Sequence, residues 1–326
     1  MQPTDPKLWL FRIVRPGTFG RISSAIGIAL FLYAAFWSAG ALKPPNPSGV
    51  VFFFIAIIAY IIPAIDLIHT RARACLTELS PLLPLQPDAF DFDRRAISWQ
   101  IGVALIGISA GLVHSSLLTL SGNLTSVPNT SEYAVFCGTL LVWLVLTTAL
   151  FALFELANVF KQLAEEIQIE LLMTQRLRPF GKLASTMALS LIGAQAAMPI
   201  MFFDGFSLTA FVPGFVALLV PIVLMVLIPM APIRRRIHLE KERELESVNA
   251  AIMKVPANAD SVTPGIELGH PGQHLASLLA YRREIDNISE WPIDVSASAR
   301  LVLYLLIPPA TWIGAALIEH LVDGIL

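Results

Sequence analysis

Charge is what this chain has least of. Only 14% of its 326 residues are Asp, Glu, Lys or Arg, against roughly 25% in an ordinary soluble domain, and 56% are hydrophobic. With a mean hydropathy of +0.70, such a chain cannot clothe a water-facing surface, and an integral membrane protein is expected. Cysteine is almost missing as well. Cys75 and Cys137 are the only two, one expected on the cytosolic side and one within a span, so no disulfide joins them. Catalytic signatures are missing too: there is no Gly-rich phosphate loop, no His-Glu-x-x-His, no Cys-x-x-Cys and no serine elbow. His270 and His274 flank Pro271-Gly272 and lack a third ligand. No enzyme, metal or cofactor is therefore expected. No long apolar core occupies Met1–Gly20, so no secretory signal is read there. No internal repeat suggests an inverted-repeat transporter.

What the chain does have is long apolar runs. Seven of about 20 to 24 residues match the hydrocarbon thickness of a bilayer: Ile22–Leu42, Gly49–Ile68, Ile97–Leu120, Tyr133–Phe154, Leu183–Phe203, Leu208–Ala231 and Leu301–Val322. The fold class expected is an all-α integral membrane protein with seven spans. Basic residues set the orientation. With the N-terminus cytosolic, Lys43 is the only one of 22 Lys and Arg left outside, so the N-terminus is read as inside and the C-terminus as outside. Residues 1–21 then form a cytosolic segment, in which 7–15 read as a short helix lying in the interface. Residues 22–232 hold the first six spans, 233–300 a cytosolic helical region, and 301–326 the last span.

The axis of this scheme is the fourth helix. Glu132 to Arg178 contains one Gly and no Pro, and Tyr133–Phe154 is free of charge. Beyond it, residues 155–178 keep Leu156, Phe160, Leu163, Ile167 and Leu171 at steps of three and four, an apolar stripe that needs partners. Residues 70–96, broken by Pro81, Pro84 and Pro87, read as an extended strap. Pro232 marks the start of a charged helix to Lys254, and Gln273–Glu290 reads as another with Leu278, Tyr281, Ile285 and Ile288 on one side. Three cytosolic helices are thus expected to form a bundle under the membrane. The outside is sparse, and the sequons at Asn123 and Asn129 are taken as chance.

Candidate functional residues are few. Asp66, His114 and Glu155 are ionisable groups in or at the edge of spans, where charge defaults to function. Asp66 and Glu155 lie near the inner boundary, where pairing with a cytosolic Arg competes with that default, and His114 reads as a satisfied core histidine more readily than as a ligand. Gly107 and Gly111 form a Gly-x-x-x-Gly contact, and Thr186, Ser190, Gly193 and Ala197 form a second small stripe. Pro213, Pro221, Pro229 and Pro232 suggest a kinked sixth span. Arg234-Arg235-Arg236 reads as an anchor on lipid headgroups rather than a nucleic-acid contact. On the last span Arg300, Tyr304, Pro308, Thr311, Ala315 and Glu319 share an arc of about 100°. A partly polar face of this kind can line a water-filled path.

In topology the chain resembles the insect-chemoreceptor type of seven-helix ligand-gated cation channels. The likeness lies in the inverted orientation, the cytosolic helix extensions and the position of the last helix. It implies that the extensions tie subunits together and that the last helix lines a pore. The expected function is accordingly a homo-oligomeric ion channel in a bacterial inner membrane, with Arg300, Tyr304, Thr311 and Glu319 at the pore. The alternative is a non-conducting scaffold or regulator that recruits a soluble partner through the cytosolic bundle. The lipid bilayer is the one obligatory partner in both.

Overall fold

The computed structural model describes residues 6–42, 49–83, 95–120, 130–204, 208–254, 271–291 and 303. Eight α-helices carry them: α1 Trp9–Ile13, α2 Thr18–Ser38, α3 Gly49–Leu79, α4 Ile97–Leu120, α5 Thr130–Glu166, α6 Arg178–Gln195, α7 Leu208–Met253 and α8 Pro271–Asp286. Short 3-10 turns occupy Ser80–Leu82, Leu171–Leu177 and Met198–Asp204, and no strand occurs among the described residues. Among the described residues, five segments are long and apolar enough to cross a membrane: Thr18–Ser38, Gly49–Leu82, Ile97–Ser116, Thr130–Glu166 and Leu171–Met201. They point to an integral multi-pass membrane protein. The expected sixth span falls on the first half of α7. The seventh, apart from Leu303, lies outside the described residues.

Two helices form the centre. α3 packs against α2, α5 and α6, and α5 packs against α3, α4 and α7. Their interiors are apolar along whole faces, from Val51 through Ile58, Ile62, Ile65 and Ile68 to Leu79, and from Val142 through Leu153 to Leu163. Glycine permits the closest approaches. A side chain at Gly107 would stand 3.0 Å from Leu144 Cα, and one at Gly111 would stand 3.2 Å from Leu140 Cα, so the Gly-x-x-x-Gly pair seats α4 on α5. The outer helices leave apolar side chains uncovered, among them Phe19, Leu30 and Phe31 on α2 and Ile97, Leu105 and Val113 on α4. In water that belt would drive aggregation. Against lipid tails it carries no such cost.

Helix ends follow local chemistry in several places. α2 stops in a Schellman arrangement, with Gly40 at φ 78° and the amides of Gly40 and Ala41 donating to the carbonyls of Trp37 and Phe36. α6 ends at Gln195, short of the expected Phe203, where Pro199 has no amide hydrogen to offer the Gln195 carbonyl and a 3-10 helix begins at Met198. α3, expected to end near Ile68, continues to Leu79 because Ala72, Cys75, Leu76 and Leu79 extend its buried face until Pro81. That replaces the first part of the expected strap with helix. Residues 84–94 of the strap lie outside the described residues.

Three further expectations are corrected. α5 does not run to Arg178 but ends at Glu166, for a reason given below. α1 is not a helix resting on lipid alone: Leu8, Leu10 and Val14 are buried against the bundle, and Phe11 packs on His69 with ring centroids 4.6 Å apart. α7 is one helix of 46 residues rather than two. Its prolines remove single backbone bonds, but Ile222, Met225, Met230, Ile233 and Ile237 bury one face of it against its neighbours, and the helix continues through them.

Candidate functional site

The polar chemistry of the described residues concentrates at one end of the bundle, which we term the basic end. Here helix termini meet: the start of α2, the ends of α3 and α5, the approach to α4, the start of α6, and the middle of α7. Each helix brings charged residues where its apolar run stops, and the structure pairs them across sequence distances too long for any periodicity to reveal.

Asp66 is one such residue. Arg21 Nε donates to its Oδ2 at 2.7 Å, and Arg21 Nη2 donates to Thr70 Oγ1 at 2.5 Å, clamping α2 to α3. Glu155 is another. Its Oε2 accepts from Arg95 Nε, and the guanidinium lies 5.7 Å from the Trp99 ring centroid. Arg95 is itself buried, and its backbone amide donates to the Pro6 carbonyl at 3.0 Å. The pair therefore ties the approach to α4 both to α5 and to the N-terminal segment. Both carboxylates are neutralised where they stand. A carboxylate held in this way binds another cation only by breaking the clamp.

His114 sits deeper, on the α4–α5 contact. Trp143 Nε1 donates to its Nδ1 at 2.8 Å, and the two rings meet edge to face at 5.7 Å. That bond places the proton of a neutral ring on Nε2. Nε2 is buried and makes no hydrogen bond among the described residues. Asp66 thus serves the α2–α3 contact, while Glu155 and His114 serve separate points along the seam of α4 and its approach with α5, and no hydrogen bond or ion pair brings the three together. Arg300, Tyr304, Thr311 and Glu319 lie outside the described residues.

One arginine of the basic triplet on α7, expected to anchor on lipid headgroups, is instead held within the protein. Arg236 turns inward, and its Nη1 lies 3.1 Å from the carbonyl oxygen of Ala164, 2.9 Å from that of Glu165 and 2.6 Å from that of Ile167. A helix leaves its last carbonyls without intrahelical partners and concentrates negative potential there. Arg236 supplies both the donors and the charge. α5 ends at Glu166 because this cap, delivered by another helix, takes the carbonyls that continued helix would use. The apolar stripe survives the break: Leu156, Phe160, Leu163 and Ile167 are all buried to 1% exposure or less.

Beyond Arg236, α7 projects from the basic end with α8 beside it. Ile285 is fully buried, and Val248 and Ile237 are buried on α7. Polar contacts lock the pair. Lys241 Nζ donates to the carbonyls of Asp286 at 2.6 Å and Ile288 at 3.3 Å, capping the end of α8. Tyr281 donates its hydroxyl proton to Glu244 at 3.0 Å, a bond that raises the phenol pKa. Arg234 lies over the Trp291 ring at 4.8 Å and 3.7 Å from Glu290. His238 meets Glu290 at 2.9 Å, and this contact, with the charges of Arg234 and Lys241 adding to it, holds the Glu290 carboxyl below its ordinary range. We refer to α8 and the projecting half of α7 as the platform.

Sequence reasoning placed Asp66 and Glu155 at a boundary and named pairing with Arg as one outcome, but it did not identify Arg21 or Arg95. A usable signal existed: each is the cationic residue closest to the start of its own span. For Arg236 no local signal exists, since its partners lie about seventy residues earlier. Among known proteins, the chain matches no family model, no curated protein and no solved structure.

Proposed function

We propose that the chain is a membrane-embedded scaffold whose basic end faces the cytosol and whose platform recruits a soluble protein. One observation carries this reading. The platform is built as a rigid element that projects away from the apolar bundle: about twenty residues of α7, roughly 30 Å of helix, are locked to α8 by the contacts of Lys241, Tyr281, Arg234 and His238. Leu239, Met253 and Leu279 remain exposed on it. The exposed side chains of α8, Arg282, Arg283 and Glu284 with Leu279, combine both charges with apolar surface, the composition of a protein-binding rim and anchor. The orientation rests on the distribution of Lys and Arg, and a bacterial inner membrane is the setting it suits.

The channel reading rests on the arc of Arg300, Tyr304, Thr311 and Glu319 in the sequence. The two readings part in one experiment. A photo-crosslinking residue at Leu279 or Leu239, expressed in cells, joins the scaffold to a discrete soluble protein, while the same residue at Phe19 reaches only lipid. The same purified protein passes no current in planar bilayers. Absence of a crosslink, together with a cation current that Glu319→Gln lowers, replaces the scaffold with an oligomeric channel.

A further inference from the structure

A groove between α3 and α6 opens at the basic end and has a cavity of about 560 Å³. On α3 it is lined from Tyr60 through Leu67 and Arg71 to Glu78, steps that keep one helix face. On α6 it is lined by Lys182, Thr186, Leu189 and Ser190, again one face. The two helices run in opposite directions along it, so their charged residues fall at the same level. Tyr60 is eleven residues from Arg71, about 16 Å up the helix, so the groove passes from a charged mouth to an apolar interior at membrane depth. A second cavity of about 350 Å³ adjoins it, shares Glu78 and Lys182, and adds Arg176 and Arg178 to the mouth.

The charges at the mouth are not used up by the fold. Arg71 is exposed and makes no hydrogen bond or ion pair among the described residues. Lys182 meets Glu78 at 2.8 Å, but both are about half exposed, and such a pair holds little energy against a competing anion. The Leu171–Leu177 turn beside the mouth leaves Leu172 and Met173 exposed next to Arg176, apolar side chains where the headgroup region meets the tails. We infer that this groove is a binding site for an anionic phospholipid, its phosphate held by Arg71 and Lys182 and one acyl chain lying along Leu67, Tyr60 and Leu189. Basic pockets between spans at the cytosolic side suit anionic headgroups. The apolar length above the cations selects a lipid over a soluble phosphate, which would leave that part of the groove empty. This site is separate from the platform and stands whether or not the platform recruits a partner.

The test is lipid titration of the purified full chain, read by native mass spectrometry and by thermal unfolding in neutral detergent. Phosphatidylglycerol is expected to remain bound and raise the melting temperature, and phosphatidylcholine to do neither. Arg71→Gln and Lys182→Gln are each expected to weaken phosphatidylglycerol binding about five-fold, and together about thirty-fold. Arg71→Gln removes no contact from the fold, so its lipid-free melting stays at the wild-type value. Leu189→Trp fills the apolar arm and abolishes lipid binding. Equal binding of both lipids, or binding unchanged in the double variant, overturns the inference. Stabilisation by glycerol phosphate equal to that by phosphatidylglycerol, and unaffected by Leu189→Trp, also overturns it and makes the mouth a soluble-anion site.

Discussion

Removing the Arg236 side chain tests the most unusual joint in the molecule. In Arg236→Ala the carbonyls of Ala164, Glu165 and Ile167 lose their common donor. One nitrogen carries two hydrogens, so the three contacts amount to about two bonds at a time. Bonds to a charged donor contribute about 1.5–3 kcal/mol each, and water reaches this half-buried site in part. A net loss of about 3 kcal/mol follows, to which the interaction with the α5 terminus contributes up to about 1 kcal/mol. For a chain of this size that is a fall of roughly 5 °C in melting temperature. Arg235→Ala is the control: Arg235 neighbours Arg236, is exposed, and makes no such contact, so it shifts melting by no more than about 0.5 kcal/mol in equivalent terms. Arg236→Lys keeps the charge on a shorter side chain without the planar guanidinium and falls between the two. The assay is thermal unfolding in one detergent at one scan rate. If Arg236→Ala and Arg235→Ala melt together, Arg236 does not cap α5, and the stop at Glu166 needs another cause.

Three other outcomes follow from the same geometry. Gly107→Leu forces a side chain against Leu144 and costs about 1–3 kcal/mol in thermal unfolding, whereas Gly102→Leu, with open space beside it, costs nothing measurable. Arg95→Ala strands the Glu155 carboxylate and costs about 3 kcal/mol, and adding Glu155→Gln recovers part of that loss; no recovery would remove the pair from the account. Glu290 has a carboxyl pKa depressed in the folded protein, so its contribution is present above the ordinary value of 4.5 and is lost as pH falls through the lower folded value. The fluorescence difference between wild type and Trp291→Phe should therefore change as pH falls below 4.5, and no change there would remove Glu290 from the account.

Legibility in the sequence depended on the range of the interactions. α4 matches its expected bounds, because a charge-free run between Arg95 and the next loop leaves no competing reading. The stripe from Leu156 to Ile167 was legible because a period of three and four residues is a local property. The Gly107–Gly111 contact was legible for the same reason. Where the structure departs, the cause lies far along the chain. Residues 167–178 contain no Gly and no Pro before Pro179, so nothing local could announce that Arg236 ends α5 at Glu166. Of three adjacent arginines, Arg236 caps a helix and Arg234 lies over Trp291, a division set by which way each faces on a helix that the sequence divides at Pro232. Asp66 and Glu155 showed their depth but not their partners, since depth is read from one span and pairing needs two.

The central claim is that the basic end, with the platform attached, faces the cytosol. Met253 is 86% exposed at the tip of α7 and is the natural reporter. With Cys75 and Cys137 replaced by serine, Met253→Cys is treated with a membrane-impermeant maleimide in intact cells and in inverted membrane vesicles. Labelling in the vesicles and none in the cells is the predicted result. Labelling of intact cells would place the platform outside and contradict the account.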